Sequence, residues 1–145
     1  MEAEPLAPPA ALQVRLYGEK IGDYQLVSAW WQARHHEPLA ETILPPLGVI
    51  VEQAGEPVAA LWCYECFGIG VAFLEHPVTR PNMGLSSAKA ALRLAVEACV
   101  TVAKGHGDVS LFKCYTIPGL AHVLPRLGFQ RCTSEPMTGF ILRRD

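Results

Sequence analysis

Four groups of residues in this chain have side chains of a type and spacing suited to chemistry. The first is Glu75-His76-Pro77, followed by Arg80, Gly84, Leu85, Ser86 and Ser87. A carboxylate beside an imidazole at the end of an apolar run supplies proton acceptors. The loop after it, with an arginine, a glycine and two hydroxyls leading into a helix, is a place where backbone N–H groups can hold an anion. The second group is Tyr115, whose phenol can donate a proton, with Cys114 and His122 as weaker candidates for that task. The third is His35-His36, imidazoles that can accept a proton near pH 7. The fourth is Cys63-Tyr64-Glu65-Cys66, the spacing of half a zinc site. No second Cys-x-x-Cys or spaced histidine pair follows it, so no metal is expected and these cysteines read as small buried hydrophobes.

Each group also has a plainer reading. Glu75 could serve a structural salt bridge or stand at a strand end, the serines could simply cap a helix, and Tyr115 could cover the core edge. The histidines could be solvent-exposed helix-end residues. Neighbouring strand residues face opposite sides, so a regular strand turns only one of Glu75 and His76 towards a cleft. Glu75 is the preferred base, acting directly or through water, with His76 second.

The elements that position these residues follow from apolar periodicity. Leu12 to Tyr17 alternates as a half-buried strand, and Gly18 to Gly22 turns the chain towards a helix that Asp23 can cap. Leu26, Val27, Trp30 and Trp31 fall on one helical face, where the tryptophans pack rather than bind. Pro38 stops that helix, and a short helical piece is expected over Leu39 to Leu44. Gly48 to Glu52 and Val58 to Tyr64 read as a hairpin across Gln53 to Pro57, and Val71 to Glu75 adds a third antiparallel strand. Val78 to Gly84 is expected as a loop. Ser86 or Ser87 then caps a long helix with Leu92, Ala95, Val96, Cys99, Val100 and Ala103 inward, ended by Gly105-His106-Gly107. Val109 to Tyr115 follows as a strand parallel to the one before the helix. A helix over Pro118 to Leu127 and a strand over Thr138 to Arg143 finish the reading.

Composition narrows the classes. The chain has 145 residues, half of them hydrophobic, enough for one core: a leader over residues 1–10, holding Pro5, Pro8 and Pro9, and one domain over residues 11–145. A net charge of −2 with interspersed signs gives no stripe for a phosphate backbone, so nucleic acid is not suggested as a main partner. No apolar run reaches the roughly 20 residues that span a bilayer, so no membrane partner is expected. Five cysteines without scaffold spacing and the acidic start Met1-Glu2-Ala3-Glu4 point to a reduced, cytoplasmic setting.

Glu75-His76-Pro77-Val78-Thr79-Arg80, with Gly84, resembles the pyrophosphate loop of GNAT-type N-acetyltransferases, a pattern like Val-x-Pro-x-x-Arg-Gly-x-Gly-x-Gly. Pro77 and Arg80 match. Pro81 replaces the glycine after the arginine and lacks an N–H, while Met83 and Leu85 add bulk. Leu124-Pro125-Arg126-Leu127-Gly128-Phe129 is similar to the family's Leu-Tyr-Glu-Lys-x-Gly-Phe. The family's tyrosine, which protonates the departing thiolate, falls at Leu124, and an asparagine often present before that helix falls at about Ile117. Trp30-Trp31 with Leu44-Pro45-Pro46-Leu47-Gly48 is also similar to small phage and prophage GNAT-like proteins.

The resemblance covers about residues 12 to 143. It implies a mixed α/β (α+β) fold with a mostly antiparallel sheet, a V-shaped splay between the fourth and fifth strands, and helices on both faces. It implies an N-acetyltransferase using acetyl-CoA as cosubstrate and an amine on a small molecule, a protein or a modified nucleobase as acceptor. Arg80, Gly84, Leu85, Ser86 and Ser87 would hold CoA, Glu75, His76 and Tyr115 would handle protons, and His35 and His36 would line the acceptor side. The alternative is a non-catalytic binding or inhibitory module of the same fold. A homodimer through the edge strand and Ile141 to Arg144 is a third expectation.

Overall fold

The computed structural model describes residues 11–116 and 121–132. The leader, Ile117, the first part of the expected Pro118 to Leu127 helix, the strand over Thr138 to Arg143 and the proposed dimer segment Ile141 to Arg144 lie wholly or partly outside the described residues. Five strands form one sheet in chain order: β1 Leu12–Leu16, β2 Leu47–Gln53, β3 Glu56–Cys66, β4 Val71–Thr79 and β5 Leu111–Cys114. The first three pairings are antiparallel and β4 with β5 is parallel. The parallel pair is joined by α2, Leu85–His106, the crossover such a pair requires. Between β1 and β2 lies α1, Asp23–Ala33.

The central strands are apolar on both sides because both sides are covered. Val49, Val51, Leu61, Cys63, Ala72 and Leu74 are buried with Ala91, Ala95, Val96, Cys99 and Ala103 of α2. The alternate residues Ile50, Ala60, Trp62 and Val78 are buried with Val27, Trp30 and Trp31 of α1. The two tryptophans of α1 therefore pack, as their helical spacing implies. Each large apolar side chain buried in this way contributes about 1.5–3 kcal/mol. Two layers of helix thus fix the sheet from opposite faces.

Local differences from the sequence reading each have a physical cause. Asp23 does not cap α1: Gly22 holds that position, and the Asp23 carboxylate turns back to Arg15 at 2.7 Å through two bonds and to the N–H of Gly18 at 2.9 Å. An arginine fork is a stronger partner for a buried carboxylate than helix amides. Between Leu39 and Leu44 only a single 3-10 turn forms, Glu41–Ile43. Ser86 and Ser87 lie inside the first turn of α2, which starts from Gly84 with no side-chain cap. In the described part of the last expected helix, a 3-10 turn spans Leu124–Leu127. Gly128 follows it at φ 91, the left-handed geometry glycine tolerates, and Phe129 N–H returns to the Leu124 carbonyl at 3.2 Å.

The fourth strand departs most. It does not end at Glu75 but runs to Thr79, so the loop before α2 is only Arg80 to Gly84. It can continue because the ladder to β3 absorbs one extra residue: Trp62 pairs with Glu75, yet Ala60 pairs with Val78. Three steps on β4 against two on β3 make a bulge at His76-Pro77, with His76 at φ 60. Proline, which has no N–H for a ladder, is tolerated at such a position.

Candidate active site

Pairing between β4 and β5 runs from Val71↔Leu111 to Leu74↔Cys114 and goes no further. Beyond it β4 continues for Glu75 to Thr79, paired with β3 alone. Along those residues the other edge of β4 has no strand partner among the described residues, so its outward N–H and C=O groups are open to a ligand as far as these residues go. This divergence is the expected splay between the fourth and fifth strands, and Glu75 is the first residue inside it.

The bulge changes which side chains meet there. Glu75 is the cross-strand partner of Trp62 and so lies on the α1 face of the sheet. His76 reaches the same face: its Nε2 is 2.9 Å from Tyr64 Oη, and Tyr64 is two residues from Trp62 along β3. The rule that only one of Glu75 and His76 faces a cleft assumed a regular strand. This strand is not regular, and both turn to one side.

Burial sets their charge. It raises the Glu75 carboxyl above its ordinary value and lowers the His76 imidazole below its own. Both shifts favour the uncharged form, which brings the carboxyl nearer the range of a working base and keeps the imidazole neutral near pH 7. Among the described residues the Glu75 carboxylate forms no hydrogen bond or ion pair. The structural salt bridge proposed as its plainer role is therefore not formed there. Tyr64 also contacts this group: burial, then the nearby Glu75 charge, raises its hydroxyl.

At the far end of the splay, Gly84 precedes α2 with extended backbone, and the first helical bond runs from Ala88 N–H to the Gly84 carbonyl at 2.9 Å. The N–H groups of Leu85, Ser86 and Ser87 precede that bond and have no helical acceptor, as at any helix start. Gly84, Leu85, Ser86, Ser87 and Arg80 are all exposed. Met83 is turned inward against the core under α2, so its bulk leaves the loop mouth, whereas Leu85 stays 69% exposed. Leu124, which stands where the family's tyrosine falls, is buried in that same core.

Arg34 was not singled out by the sequence, yet it joins this loop to α1. It donates to Thr79 Oγ1 at 2.8 Å, to the Arg80 carbonyl at 3.4 Å and to the Trp30 carbonyl at 3.3 Å. Only the tertiary arrangement brings residues 45 positions apart together. Tyr64 was likewise missed, because its contact with His76 depends on the bulge.

The remaining candidates sit elsewhere. Tyr115 lies one residue past β5 and is 42% exposed, at the end of the diverging strand. Cys114 packs towards α2, and burial, then the Glu75 charge, pushes its thiol up to about 11, which leaves it protonated and a poor nucleophile. His35 and His36 are exposed and end α1: His36 N–H bonds the Trp31 carbonyl and His35 N–H the Gln32 carbonyl, both at 3.0 Å, with His35 at φ 59. This is the Schellman arrangement, with histidine in the seat glycine usually takes. Cys63 is buried with its thiol pushed up to about 12 by burial, then by Glu65, and among the described residues no group of three or more His, Cys, Asp or Glu is placed to hold a metal. Two surface hollows, of about 220 and 290 Å³, lie at the β3–β4 turn and the β1–α1 turn, away from the splay. No helix among the described residues is long and apolar enough to cross a membrane.

No protein-family model and no curated protein sequence matches this chain. Solved structures do. A probable acetyltransferase of unknown function from meticillin-resistant Staphylococcus aureus superposes with a TM-score of 0.64 over 92% of this chain and 100% of its own, at 13% identity. A Trypanosoma brucei acetyltransferase gives 0.59 over 90% and 100%, also at 13% identity. The glucosamine-6-phosphate N-acetyltransferase of Arabidopsis thaliana gives 0.53 over 90% and 98%, at 9% identity. At these identities the likeness is one of architecture: a mostly antiparallel five-stranded sheet with one parallel pair and helices on both faces, the fold of the GNAT-type acetyltransferases.

Proposed function

We propose that this chain is an acyl-CoA-dependent N-acyltransferase that moves an acetyl group from acetyl-CoA to an amine. The observation that carries the reading is the run from Glu75 to Ser87: a strand edge unpaired among the described residues, with a half-buried carboxylate that has no side-chain partner, leading directly into a loop with an exposed arginine and a helix start with free amides. A thioester needs the first part and a pyrophosphate the second. Arg80 and the amides of Leu85, Ser86 and Ser87 would hold the phosphates, with the serine hydroxyls beside them, and Gly84 leaves room for close approach.

The chemistry assigned to the chain is then direct. The amine attacks the thioester carbonyl, a C–N bond forms, and Glu75 takes the nitrogen's proton directly or through a water. The C–S bond breaks with its electron pair on sulfur, and the thiolate takes a proton from Tyr115. The acceptor enters from the α1 face, where Glu75 and His76 stand and where His35 and His36 mark the end of α1.

A non-catalytic module of the same fold is favoured by two specific observations: Pro81 supplies no donor N–H, and the Leu124 position is given to core packing. Thermal melts separate the readings in part. Acetyl-CoA should raise the melting temperature of the wild type, and Arg80→Ala should remove that rise. An equal rise in Arg80→Ala removes the phosphate role from Arg80, and CoA release lost in Glu75→Gln eliminates the non-catalytic reading.

A further inference from the structure

We infer that Tyr64 is a positioning residue that fixes His76 as a second proton acceptor beside Glu75, through the ring atom Nδ1. The inference rests on the acyl-transfer reading of the site and adds to it a defined proton state and an acceptor class. It starts from one hydroxyl with two partners. Tyr64 Oη lies 2.9 Å from His76 Nε2 and 3.0 Å from the Ile43 carbonyl.

A carbonyl only accepts, so the bond to Ile43 uses the single phenolic proton. The contact with His76 can then be made only if the ring donates: Nε2 carries the proton and Tyr64 Oη accepts it. In that tautomer both contacts are satisfied at once, and the lone pair is on Nδ1. The opposite tautomer turns the phenolic proton to Nε2, leaves the Ile43 carbonyl without this donor and places a proton on Nδ1, which has no acceptor among the described residues. The ring is also held edge-on to Tyr64, with centroids 5.7 Å apart and planes at 77°. The left-handed backbone of His76 in the bulge brings it there, and such an outlier persists where its surroundings over-determine it.

Two acceptors on one face suit one class of substrate: a primary or secondary amine that arrives as an ammonium. Such a nitrogen sheds two protons during acetyl transfer, one before it can attack and one as the amide forms. Glu75 as carboxylate attracts the ammonium and takes the first proton. The nitrogen then attacks the thioester, its second proton passes to Nδ1 of His76, and the sulfur leaves with the electron pair of the C–S bond. The thiolate takes up one proton and one returns to solvent as the two acceptors reset, so charge balances. Because Tyr64 reaches Ile43, the device ties the proton acceptor to the segment between α1 and β2 that borders the α1 face.

The test reads the ring directly. In the full chain labelled with ¹⁵N-histidine, His76 is assigned with His76→Asn, and long-range ¹H–¹⁵N spectra are recorded at pH 7.5. One neutral tautomer is expected, with the proton on Nε2 and protected from solvent exchange, and Tyr64→Phe should lose that protection while keeping the melting temperature within a few degrees. A proton on Nδ1 in the wild type overturns the inference without need of any variant, as does an unchanged Nε2 proton in Tyr64→Phe. Acetyl-CoA and a primary amine added to the same sample read the rest. Tyr64→Phe should lower kcat about tenfold and His76→Asn by about a hundredfold, each with the KM for acetyl-CoA unchanged. Retention of kcat in both overturns the assignment of His76 as proton acceptor. If acetyl-CoA does not bind, the acyl-transfer reading fails and this catalytic role with it, a result separable from failure of the tautomer.

Discussion

Replacing Gly48 with alanine should destabilise the fold, because Trp62 already occupies the space. A Cβ at residue 48 would lie 2.5 Å from Trp62 Cδ1, 2.6 Å from its Nε1 and 3.0 Å from Tyr17 Cβ. Carbon atoms pack best at about 3.5–4.0 Å, so the indole would have to retreat by about 1 Å. It has nowhere to go. Trp62 is fully buried, with Tyr17 edge-on at 5.1 Å and Trp31 tilted at 5.6 Å between ring centroids. Overpacking costs about 1–3 kcal/mol, and the close packing of Trp62 between Tyr17 and Trp31 places this case near the upper end, at about 3 kcal/mol. At about 3–4 °C per kcal/mol for a chain of this size, the melting temperature should fall by roughly 10 °C. Urea unfolding followed by tryptophan fluorescence measures the loss, and an unchanged slope would assign it to the native state. Stability within about 0.5 kcal/mol of wild type would refute the wedge. The wedge matters for function because Trp62 is the cross-strand partner of Glu75 and joins α1 to that face.

Three further outcomes follow from the same geometry. Gly84→Ala should change stability by no more than about 1 kcal/mol, since Gly84 has φ −61 and no atom within 4 Å of its Cβ position, yet weaken acetyl-CoA binding; equal affinity in calorimetry would place the phosphates elsewhere. Glu75→Gln should abolish turnover while leaving the protein as stable as wild type or more so. Burial raises the folded carboxyl, so the wild type loses stability as pH rises from the unfolded carboxyl range near 4 through the raised folded value, and the variant does not; melts at pH 4 and pH 8 that differ equally for both proteins would contradict this. Asp23→Asn should cost about 3 kcal/mol by removing the two-bonded partner of the largely buried Arg15 guanidinium, which among the described residues keeps only Glu52 as an acidic partner, at 3.5 Å from Nε. Burial alone would raise the Asp23 carboxyl, but the bonds from Arg15, Gly18 and Lys20 outweigh it and hold it below its ordinary value. Its contribution is therefore present above about pH 4 and fades as pH falls through the lower folded value, which acid titration of wild type and variant would reveal as converging stabilities.

Much of this architecture could be read from the chain. The strand order from Leu12 to Cys114 and the inward stripe of α2 follow from apolar periods that two-sided burial leaves intact. The splay entered through the family resemblance alone, since no local pattern announces where a strand pair stops. The bulge at His76-Pro77 escaped for a related reason: it is a property of register between β3 and β4, and proline looked like the end of the strand. With it went the shared face of Glu75 and His76 and the contact to Tyr64. Caps were misread where a stronger partner lay far off in sequence, as Arg15 does for Asp23. Glu75 was legible as a candidate because its type and its place at a strand end were both local.

Titration of the protein with acetyl-CoA and, separately, with CoA tests the central claim most directly, because it asks whether the splay and the α2 start accept the cosubstrate at all. Saturable micromolar binding at one site per chain, lost in Arg80→Ala, is the result expected of an acyl-CoA-dependent transferase. No heat with either compound, from protein whose melting curve shows it folded, would contradict the account and leave a fold of this type working as a binding module.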